Sequence, residues 1–427
     1  MIITKVNHLR GEITVPGDKS ISHRSIMLGA ISKGTTVTRN FLQGADCLSS
    51  IECFRRLGVS IENDTANNIV TIYGLGLHGL KAPDAVLDTG NSGTTTRLIS
   101  GILAAQNFES ILNGDASIQK RPMKRIIEPL GQMGAHIESM NKNGCAPLHI
   151  YGSRLHGMNY TSPVASAQVK SAILLAGLYA DSKTQVTEPA LSRNHSELML
   201  GAFGAHVVSA GKTVTIEPAK ELYACDVYVP GDISSAAYFI AAGLMTPDSE
   251  ICIKNVGINP TRDGIIRVCR QMGADLTLEN IHETAGEPVA DIIVKTSTLN
   301  GTVIGGDIIP ALIDEIPVIA VMACFASGTT IIKDAQELKV KESNRIDVMV
   351  SNLKAMGADI EATDDGMIIH GGRTLHGADI ESHLDHRIAM SFAVAGSLCE
   401  GETNIRGGQC VNISYPSFYE DFRQLAR

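Results

Sequence analysis

The sequence has no tryptophan, and aromatic residues make up only 4% of its 427 positions. Aliphatic side chains must therefore fill its cores, and a hydrophobic content of 44% can supply the cores of two or three domains. No run of about 18 apolar residues is present, so no membrane span is expected. The first twenty residues also lack the apolar stretch of a secretory signal. We therefore expect a cytoplasmic protein without a membrane partner.

The nine cysteines form no CxxC pair, and no Cys/His spacing is typical of a zinc site. We expect free thiols in a reducing compartment, with no metal and no cofactor. Basic residues are not in excess. The chain has 45 Asp and Glu against 36 Lys and Arg, which gives a net charge of −9. That balance argues against a nucleic-acid partner. It leaves room for one local basic pocket, because net charge does not describe a single cleft.

Two phrases alternate along the whole chain, about one pair per 70 residues. One is a polar, small-residue start that opens an apolar helix. It reads GDKSISHRSIMLGAI, GNSGTTTRLISGILA, SAQVKSAILLAGLYA, GDISSAAYFIAAGLM, DEIPVIAVMACFASG and DHRIAMSFAVAGSLC. The other is a helix that ends in Leu/Met/Phe-Gly-Ala/Val and leads into an alternating strand, as in CFRRLGVSIEND and SNLKAMGADIEA. The pattern predicts six α/β units of the form strand–helix–strand–helix–strands.

The sixth unit ends in the helix SFYEDFRQLAR with no strand after it. The N-terminal stretch ITKVNHLRGEITV has no helix of its own before it and could supply the missing strand. Three units per domain then predict two domains, one of residues 1–14 plus 229–427 and one of residues 15–228. The active site is expected in the cleft between them.

Cationic residues cluster at several of the apolar helix starts, where the helix dipole opposes them. Lys19 and Arg24 open the first, and Arg97 lies in the second. A cation is tolerated there when it shares an anion with the free N–H groups of the helix. Each residue alone could be a surface charge or a cap, as Ser20 and Asp232 could be. Together they predict binding of small phosphorylated anions.

Two acidic positions suggest proton transfer. Asp314 lies in IPALIDEIPVIAV, where apolar neighbours would raise the pKa of a carboxyl group unless a cation compensates. Glu342 stands between Lys341 and Arg345. One candidate base and one candidate acid are therefore present. The alternative is that Asp314 only caps the helix that follows it.

The motifs together resemble the 5-enolpyruvylshikimate-3-phosphate synthase family over essentially the whole chain. PGDKSISHR, GNSGTTTRL, KRPM, SAQVKSA, LIDEIP, LKVKESNRI and DHRIAM occur in the family's order. GNSGTTTRL and SAQVKSA are more similar to its class II branch than to class I. The resemblance implies an α/β fold of two domains, each of three βαβαββ units arranged as an inside-out α/β barrel. It also implies transfer of the enolpyruvyl group of phosphoenolpyruvate (PEP) to the 5-hydroxyl of shikimate 3-phosphate, with release of phosphate.

The resemblance assigns residues to both substrates. For shikimate 3-phosphate they are Lys19, Ser20, Arg24, Ser166, Gln168, Arg193, Asp314 and Lys341. For PEP they are Lys19, Gly93, Arg121, Gln168, Arg345 and Arg387. Asp314 matches the proposed proton acceptor, and Glu342 or Lys19 would serve C3 of PEP. The GDISS unit is expected to contribute its dipole and packing but no ligand contact.

One departure concerns the C-terminal region. Class I members have a Lys there that reaches PEP, whereas this chain has Ile413 near that point and no Lys. Two other functions stay open at this stage. A UDP-N-acetylglucosamine enolpyruvyl transferase would share the fold but carries a loop Cys, which residues 112–125 lack. A non-catalytic anion-binding protein would need neither Asp314 nor Glu342. We expect a monomer.

Overall fold

The computed structural model describes residues 1–284 and 286–427. They divide into two compact units. The first unit comprises Gly17–Val229 with Thr284–Glu287, and the second comprises Met1–Pro16, Pro230–Glu283 and Pro288–Arg427. The predicted division into domains at 14/15 and 228/229 stays a prediction.

The helices follow the two sequence phrases. Each of the six polar starts opens a helix, and the Gly-terminated phrases provide the helices that alternate with them. The helices are α1 (Lys19–Ala30), α2 (Ala45–Arg56), α3 (Gly93–Leu103), α4 (Lys124–Gln132), α5 (Ala167–Gly177), α6 (His195–Ala202), α7 (Ile233–Met245), α8 (Gly264–Gln271), α9 (Ile316–Phe325), α10 (Arg345–Ala355), α11 (His386–Gly396) and α12 (Phe418–Leu425).

A glycine with the predicted left-handed conformation follows each of the helices α2, α4, α6, α8 and α10. The φ angles are +89° at Gly58, +94° at Gly134, +91° at Gly204, +87° at Gly273 and +92° at Gly357. A side chain at these positions would be strained, so the repeated glycine is what lets the chain leave the helix and enter the following strand.

The strands are short and are distributed over six small sheets in the described part of the chain. They are β1 (Ile2–Ile3), β2 (Arg10–Ile13), β3 (Lys33–Arg39), β4 (Ser60–Asp64), β5 (Ile69–Leu75), β6 (Leu87–Asp88), β7 (Ser110–Asn113), β8 (His136–Ser139), β9 (Leu148–Tyr151), β10 (Asn159–Thr161), β11 (Thr184–Thr187), β12 (Val207–Ala210), β13 (Thr213–Ile216), β14 (Val227–Tyr228), β15 (Glu250–Gly257), β16 (Asp275–Thr284), β17 (Glu287–Lys295), β18 (Val303–Ile304), β19 (Thr329–Ile332), β20 (Asp359–Ala362), β21 (Met367–His370), β22 (Asp379–Glu381) and β23 (Thr403–Arg406).

Five sheets share one strand order, in which a parallel pair is extended by an antiparallel hairpin, and in three of them, those of β6-β7, β10-β11 and β18-β19, a helix joins the parallel pair directly. In the first unit the orders are β14-β3-β5-β4, β6-β7-β9-β8 and β10-β11-β13-β12. In the second they are β2-β15-β17-β16 and β18-β19-β21-β20, with the three-stranded β22-β23-β1 as the sixth sheet. Parallel pairing requires a crossover helix, which explains the alternation of strand and helix in the sequence.

The strands that precede α1 and α7 exchange their pairing partners, so that each pairs with the strand that follows the other helix. The sequence did not predict this pairing. β2 precedes α1 in sequence but pairs in parallel with β15, which follows α7. Conversely, β14 precedes α7 but pairs in parallel with β3, which follows α1. The N-terminus supplies a strand to the sixth unit, as predicted, but the strand is β1, which pairs antiparallel with β23 through Ile2↔Asn404 and Ile3↔Thr403, and not the stretch that forms β2.

Each of the two compact units has its own apolar core, built on the helices that open with the polar starts. In the second unit α7, α9 and α11 pack against one another, and every residue of α9 from Ile316 to Cys324 is buried. In the first unit α3 packs against α5 and α1. A helix that is apolar on all sides belongs in the interior. The fold is therefore an inside-out α/β arrangement, with helices at the centre of each unit and small mixed sheets around them, as predicted.

No helix within residues 1–284 and 286–427 has the length and apolar character needed to span a bilayer. All nine cysteines are free thiols, as expected.

Candidate active site

The predicted ligands divide between the two units. Asp314, Lys341, Glu342, Arg345 and Arg387 belong to the second, and the other eight belong to the first. Within each unit we describe which of these side chains the fold brings together.

Lys19 is the first residue of α1, and its helix is capped by Asp18 rather than by Ser20. The Asp18 Oδ1 atom accepts a hydrogen bond of 2.9 Å from the Ile21 N–H. The alternative that Ser20 is a cap is therefore wrong. The Lys19 ammonium group pairs with the Asp46 carboxylate in the first turn of α2, and its side chain is 20% exposed. A partly exposed ammonium group at a helix start suits a ligand anion.

Arg24 lies one turn further along α1 and is 5% exposed. Its guanidinium group donates to Ser196 Oγ at 2.7 Å, Ser171 Oγ at 2.8 Å and the Ser20 carbonyl at 2.9 Å. None of these acceptors carries a formal charge. Burial is the largest cause that lowers the pKa of Arg24, to about 10, and the nearby charge of Arg193 acts in the same direction. The group remains protonated at neutral pH, and no carboxylate among residues 1–284 and 286–427 is bonded to it directly.

Gly93 begins α3 beside two guanidinium groups. A Cβ atom at this position would lie 2.9 Å from Arg97 Nη1 and 3.4 Å from Arg121 Nη1, so a side chain would displace both. Arg97 also donates to the Gln168 side-chain oxygen. The Arg121 Nη2 atom lies 2.9 Å from Asn91 Oδ1. Arg97 thus connects Gly93 to Gln168, and the third predicted PEP ligand, Arg121, also lies beside Gly93.

Ser166 caps α5, with its hydroxyl accepting from the Val169 N–H at 3.5 Å. Its own N–H donates to Glu188 Oε1 at 3.2 Å. Arg193 follows Ser192, whose hydroxyl donates to the same Glu188 oxygen at 2.6 Å. The fold therefore links the segments of these two predicted shikimate 3-phosphate ligands through one carboxylate.

In the second unit, Asp314 is surrounded by cations. Its Oδ1 atom lies 3.3 Å from Arg345 Nη1 and 3.7 Å from Lys341 Nζ. Its Oδ2 atom lies 3.7 Å from Arg387 Nη2. The sequence predicted apolar surroundings for this carboxylate, but tertiary contacts supply the compensating cations. Glu315, and not Asp314, is the N-cap residue of α9, so the capping alternative is also wrong.

Arg345 is 1% exposed and is held almost entirely by carboxylates. It reaches Asp385 Oδ2 at 2.9 Å through Nε and Glu342 Oε2 at 2.5 Å through Nη2. Burial lowers the pKa of Arg345, but the charges of Asp385, Glu342 and Asp314 outweigh that effect and raise it overall. The same arginine therefore orients both predicted proton-transfer carboxylates, Asp314 and Glu342.

Arg387 follows the α11 cap Asp385 and donates to the Asp314 carbonyl at 3.2 Å. Burial lowers its pKa, whereas the charges of Asp314, Tyr238, Glu315 and Asp232 raise it to a value above the ordinary one. Arg387 is thus fixed as a permanent cation next to the predicted base.

The start of α7, in the GDISS phrase, forms more side-chain hydrogen bonds than the sequence suggested. Asp232 caps the helix as predicted, accepting from the Ser234 N–H at 2.8 Å. It also accepts from Arg262 at 3.1 Å, and Arg262 donates to Ser234 Oγ at 2.7 Å. Ser234 in turn donates to the Glu315 carboxylate. This helix start therefore supports the residue next to Asp314.

Sequence reasoning missed the residues that hold the predicted ligands. Asp385 and Asp46 carry the charges opposite Arg345 and Lys19, and Arg97 links Gly93 to Gln168. Arg97 and Asp385 lie in the motifs GNSGTTTRL and DHRIAM, so a signal was present. Asp46 lies in an ordinary helix start, and only its tertiary contact marks it.

Comparison with known proteins first defines the class. The fold resembles that of the enolpyruvyl transferase NikO from Streptomyces tendae, with a TM-score of 0.82 at 18% identity over 99% of this chain and 96% of that one. At that identity the likeness establishes an enolpyruvyl transferase fold and no more.

The sequence comparisons are more specific. The profile of EPSP synthase (3-phosphoshikimate 1-carboxyvinyltransferase) matches residues 3–422. A 3-phosphoshikimate 1-carboxyvinyltransferase of Bacillus thuringiensis subsp. konkukian is 57% identical over 421 residues, covering 99% of this chain and 98% of the relative. The solved EPSP synthase of Acinetobacter baumannii has a TM-score of 0.89 and 48% identity, covering 99% of this chain and 97% of that chain. The chain belongs to the EPSP synthase family.

Proposed function

We propose that the predicted ligands of both units act on one pair of substrates, shikimate 3-phosphate and PEP. As a member of its family, the chain is a 3-phosphoshikimate 1-carboxyvinyltransferase of the shikimate pathway. It transfers the enolpyruvyl group of PEP to the 5-hydroxyl of shikimate 3-phosphate and releases phosphate. The observation that carries the assignment of residues is the contact of Arg345 with both Asp314 and Glu342.

Shikimate 3-phosphate is assigned to Lys19, Ser20, Arg24, Ser166, Gln168 and Arg193 in the first unit and to Asp314 and Lys341 in the second. Arg24 supports this role because its direct acceptors are neutral. A phosphate dianion would supply the counter-charge that the buried guanidinium group lacks. Charge-assisted hydrogen bonds of this kind are about twice as strong as neutral ones.

PEP is assigned to Lys19, Gly93, Arg121, Gln168, Arg345 and Arg387. Gly93 supports this role because the absence of a side chain leaves the Arg97 and Arg121 guanidinium groups accessible from its side. Planar guanidinium groups can hold a carboxylate or phosphate through two parallel hydrogen bonds, which an ammonium group cannot reproduce.

The reaction needs three proton transfers, two at C3 of PEP and one from the 5-hydroxyl. Protonation of PEP at C3 gives C2 cationic character, the 5-hydroxyl adds to C2, and loss of phosphate and of a C3 proton completes the transfer. We assign Asp314 to the hydroxyl proton, because three cations near its carboxylate favour the ionised form that can accept one. Glu342 or Lys19 serves C3.

A phosphate-release assay with PEP and each of two acceptors tests this function. We expect phosphate with shikimate 3-phosphate and none with UDP-N-acetylglucosamine. Release only with the second acceptor, or no release from protein shown to be folded by circular dichroism, would contradict the proposal.

We further propose that the enzyme works in the cytoplasm as a monomer. Light scattering on the purified chain should give a mass near 45.4 kDa. A dimer mass at assay concentrations would overturn the monomer.

A further inference from the structure

The first unit contains a buried charged cluster that the proposed mechanism does not use. Lys170, on the first turn of α5, places its ammonium group 2.8 Å from Glu188 Oε2 and 2.8 Å from Glu197 Oε1. It also donates to the Ser192 carbonyl at 3.3 Å. The three side chains are 3%, 2% and 6% exposed.

Such a cluster is a costly way to stabilise a fold. Desolvation of buried ions often cancels their attraction, and apolar residues of similar volume usually serve stability as well or better. Lys170 also lies near the N-terminus of α5, where the helix dipole opposes a cation. The cluster therefore calls for a role other than stability alone.

Glu188 joins two segments that carry predicted ligands. Its Oε1 atom accepts from the Ser166 N–H at 3.2 Å and from the Ser192 hydroxyl at 2.6 Å. Its Oε2 atom accepts from the Ser192 N–H at 3.4 Å and from Lys170. One carboxylate thus fixes the start of α5, with Ser166 and Gln168, to the loop that carries Arg193.

Glu197 extends the same cluster toward Arg24. It lies on α6 directly after Ser196, the residue whose hydroxyl accepts from Arg24 Nε at 2.7 Å. Because Lys170 binds both Glu188 and Glu197, it fixes the start of α6 relative to the start of α5.

We propose that Glu188, paired with Lys170, is a positioning residue that sets the affinity for shikimate 3-phosphate. It holds Ser166, Gln168 and Arg193 in one arrangement, and it does not touch the ligand, since a buried carboxylate would repel a phosphate. The inference rests on the proposed function, which assigns those three residues to shikimate 3-phosphate.

The test is the dissociation constant of shikimate 3-phosphate, measured by calorimetry without PEP. Glu188→Gln keeps the shape of the side chain but removes its charge and one acceptor. We expect binding to weaken about tenfold or more, because small displacements of positioning groups have effects of this size. The KM for PEP should rise by a smaller factor, because Gln168 is the one residue of these three that is also assigned to PEP.

Asp291→Asn is a matched control. Asp291, in the second unit, is also a largely buried carboxylate that accepts from a lysine, a backbone N–H and a polar side chain. Its partners are Lys254 at 2.7 Å, the Asn255 N–H at 2.8 Å and Asn280 at 2.8 Å. None of them is a predicted ligand, so this variant should lose stability without losing affinity for shikimate 3-phosphate.

Further variants separate positioning from stability. Ser192→Ala removes one hydrogen bond to Glu188 and keeps the ion pair, so it should weaken binding in the same direction by a smaller factor. Lys170→Met leaves two buried carboxylates without their cation, whereas the triple variant Lys170→Met/Glu188→Gln/Glu197→Gln removes all three charges. We expect the thermal stability of the triple variant to recover relative to Lys170→Met while its affinity stays low. If affinity recovers together with stability, the cluster is only structural and the inference is overturned.

The result also distinguishes this inference from the proposed function. If the wild-type chain does not bind shikimate 3-phosphate, the proposed function fails. If the wild type binds and folded Glu188→Gln binds equally well, only the positioning role fails.

Discussion

Two buried arginines, one in each unit, are held in opposite ways. Arg24 is 5% exposed and donates to two serine hydroxyls and a backbone carbonyl. Arg345 is 1% exposed and contacts the carboxylates of Asp385, Glu342 and Asp314. Burial lowers the pKa of Arg24, whereas the surrounding carboxylates raise the pKa of Arg345 overall.

The difference indicates two tasks. A buried cation with neutral acceptors gains most when an anionic ligand arrives, so Arg24 suits phosphate binding. A cation that carboxylates already neutralise gains less from an anionic ligand. It can instead hold those carboxylates in a fixed orientation. Arg345 therefore suits the proposed role of orienting Asp314 and Glu342 for proton transfer. Each of the following predictions tests one side of this comparison.

The largest effect is expected at Asp314. Asp314→Asn should lower kcat by about a thousandfold or more while substrate binding is retained, because the amide cannot accept the hydroxyl proton. Stopped-flow phosphate release and calorimetry measure the two quantities. Asp359→Asn is the control, since Asp359 is an exposed partner of Arg373 at 2.6 Å. A loss of less than about tenfold in Asp314→Asn would show that the base is assigned to the wrong residue.

The second effect concerns stability. Arg345→Met leaves the fully buried Asp385 without its cation, and we expect the free energy of unfolding to fall by about 3–5 kcal/mol. Arg24→Met leaves two serine hydroxyls that already lie 2.6 Å apart and can pair with each other, so the loss should be about 1–2 kcal/mol. Urea unfolding of both variants measures the difference. Equal losses would remove the distinction between the two arginines.

The third effect is on affinity. Arg24→Lys keeps the charge but loses the planar fork, and we expect the KM for shikimate 3-phosphate to rise about 10- to 100-fold. The rise in the KM for PEP should be smaller. Arg55→Lys is a suitable control because Arg55 forms only an exposed pair with Glu52 within α2 and hydrogen bonds to the Ile61 carbonyl. An unchanged KM for shikimate 3-phosphate would remove Arg24 from the phosphate site.

The smallest effect is a pH dependence. Burial raises the pKa of Asp385, but the charge of Arg345 outweighs it and lowers the pKa overall. A depressed carboxyl pKa contributes stability that is complete above the unfolded value of about 3.9 and is lost as pH falls through the folded value. Asp385→Asn should therefore flatten the loss of stability below about pH 4, by at most about 1.4 kcal/mol per pH unit. Urea midpoints at several pH values test this, and an unchanged slope would exclude Asp385 as its source.

Much of the local structure could be predicted because the signals are local. Helix starts are specified by capping, as at the polar starts of α1 and α11. Helix ends are specified by backbone conformation, through the glycine that follows each Gly-terminated helix. The missing strand of the sixth unit was visible as an unpaired helix, and β1 supplies it. The exchange of pairing partners between β2 and β14 was not visible, because strands of four and two residues carry too little pattern to specify their partners.

The candidate site shows the same limit. Lys341, Glu342 and Arg345 are close in sequence, and their proximity could be anticipated. The contact of Arg345 with Asp385 joins two successive repeats, and the contacts of Arg345 with Asp314 and of Lys170 with Glu188 join residues far apart within one repeat. The apolar neighbours of Asp314 in sequence predicted a desolvated carboxylate, but the cations around it come from elsewhere in the chain.

The sequence by itself determined the repeated α/β units, the positions of the helix starts and the family, because capping, periodicity and motifs are encoded over a few residues. The tertiary structure decided which charges face each other. Partners such as Asp385 for Arg345 and two serines for Arg24 are selected by packing between helices, and a single sequence carries no local signal for that choice. The opposite electrostatic settings of two equally buried arginines are therefore a property of the fold.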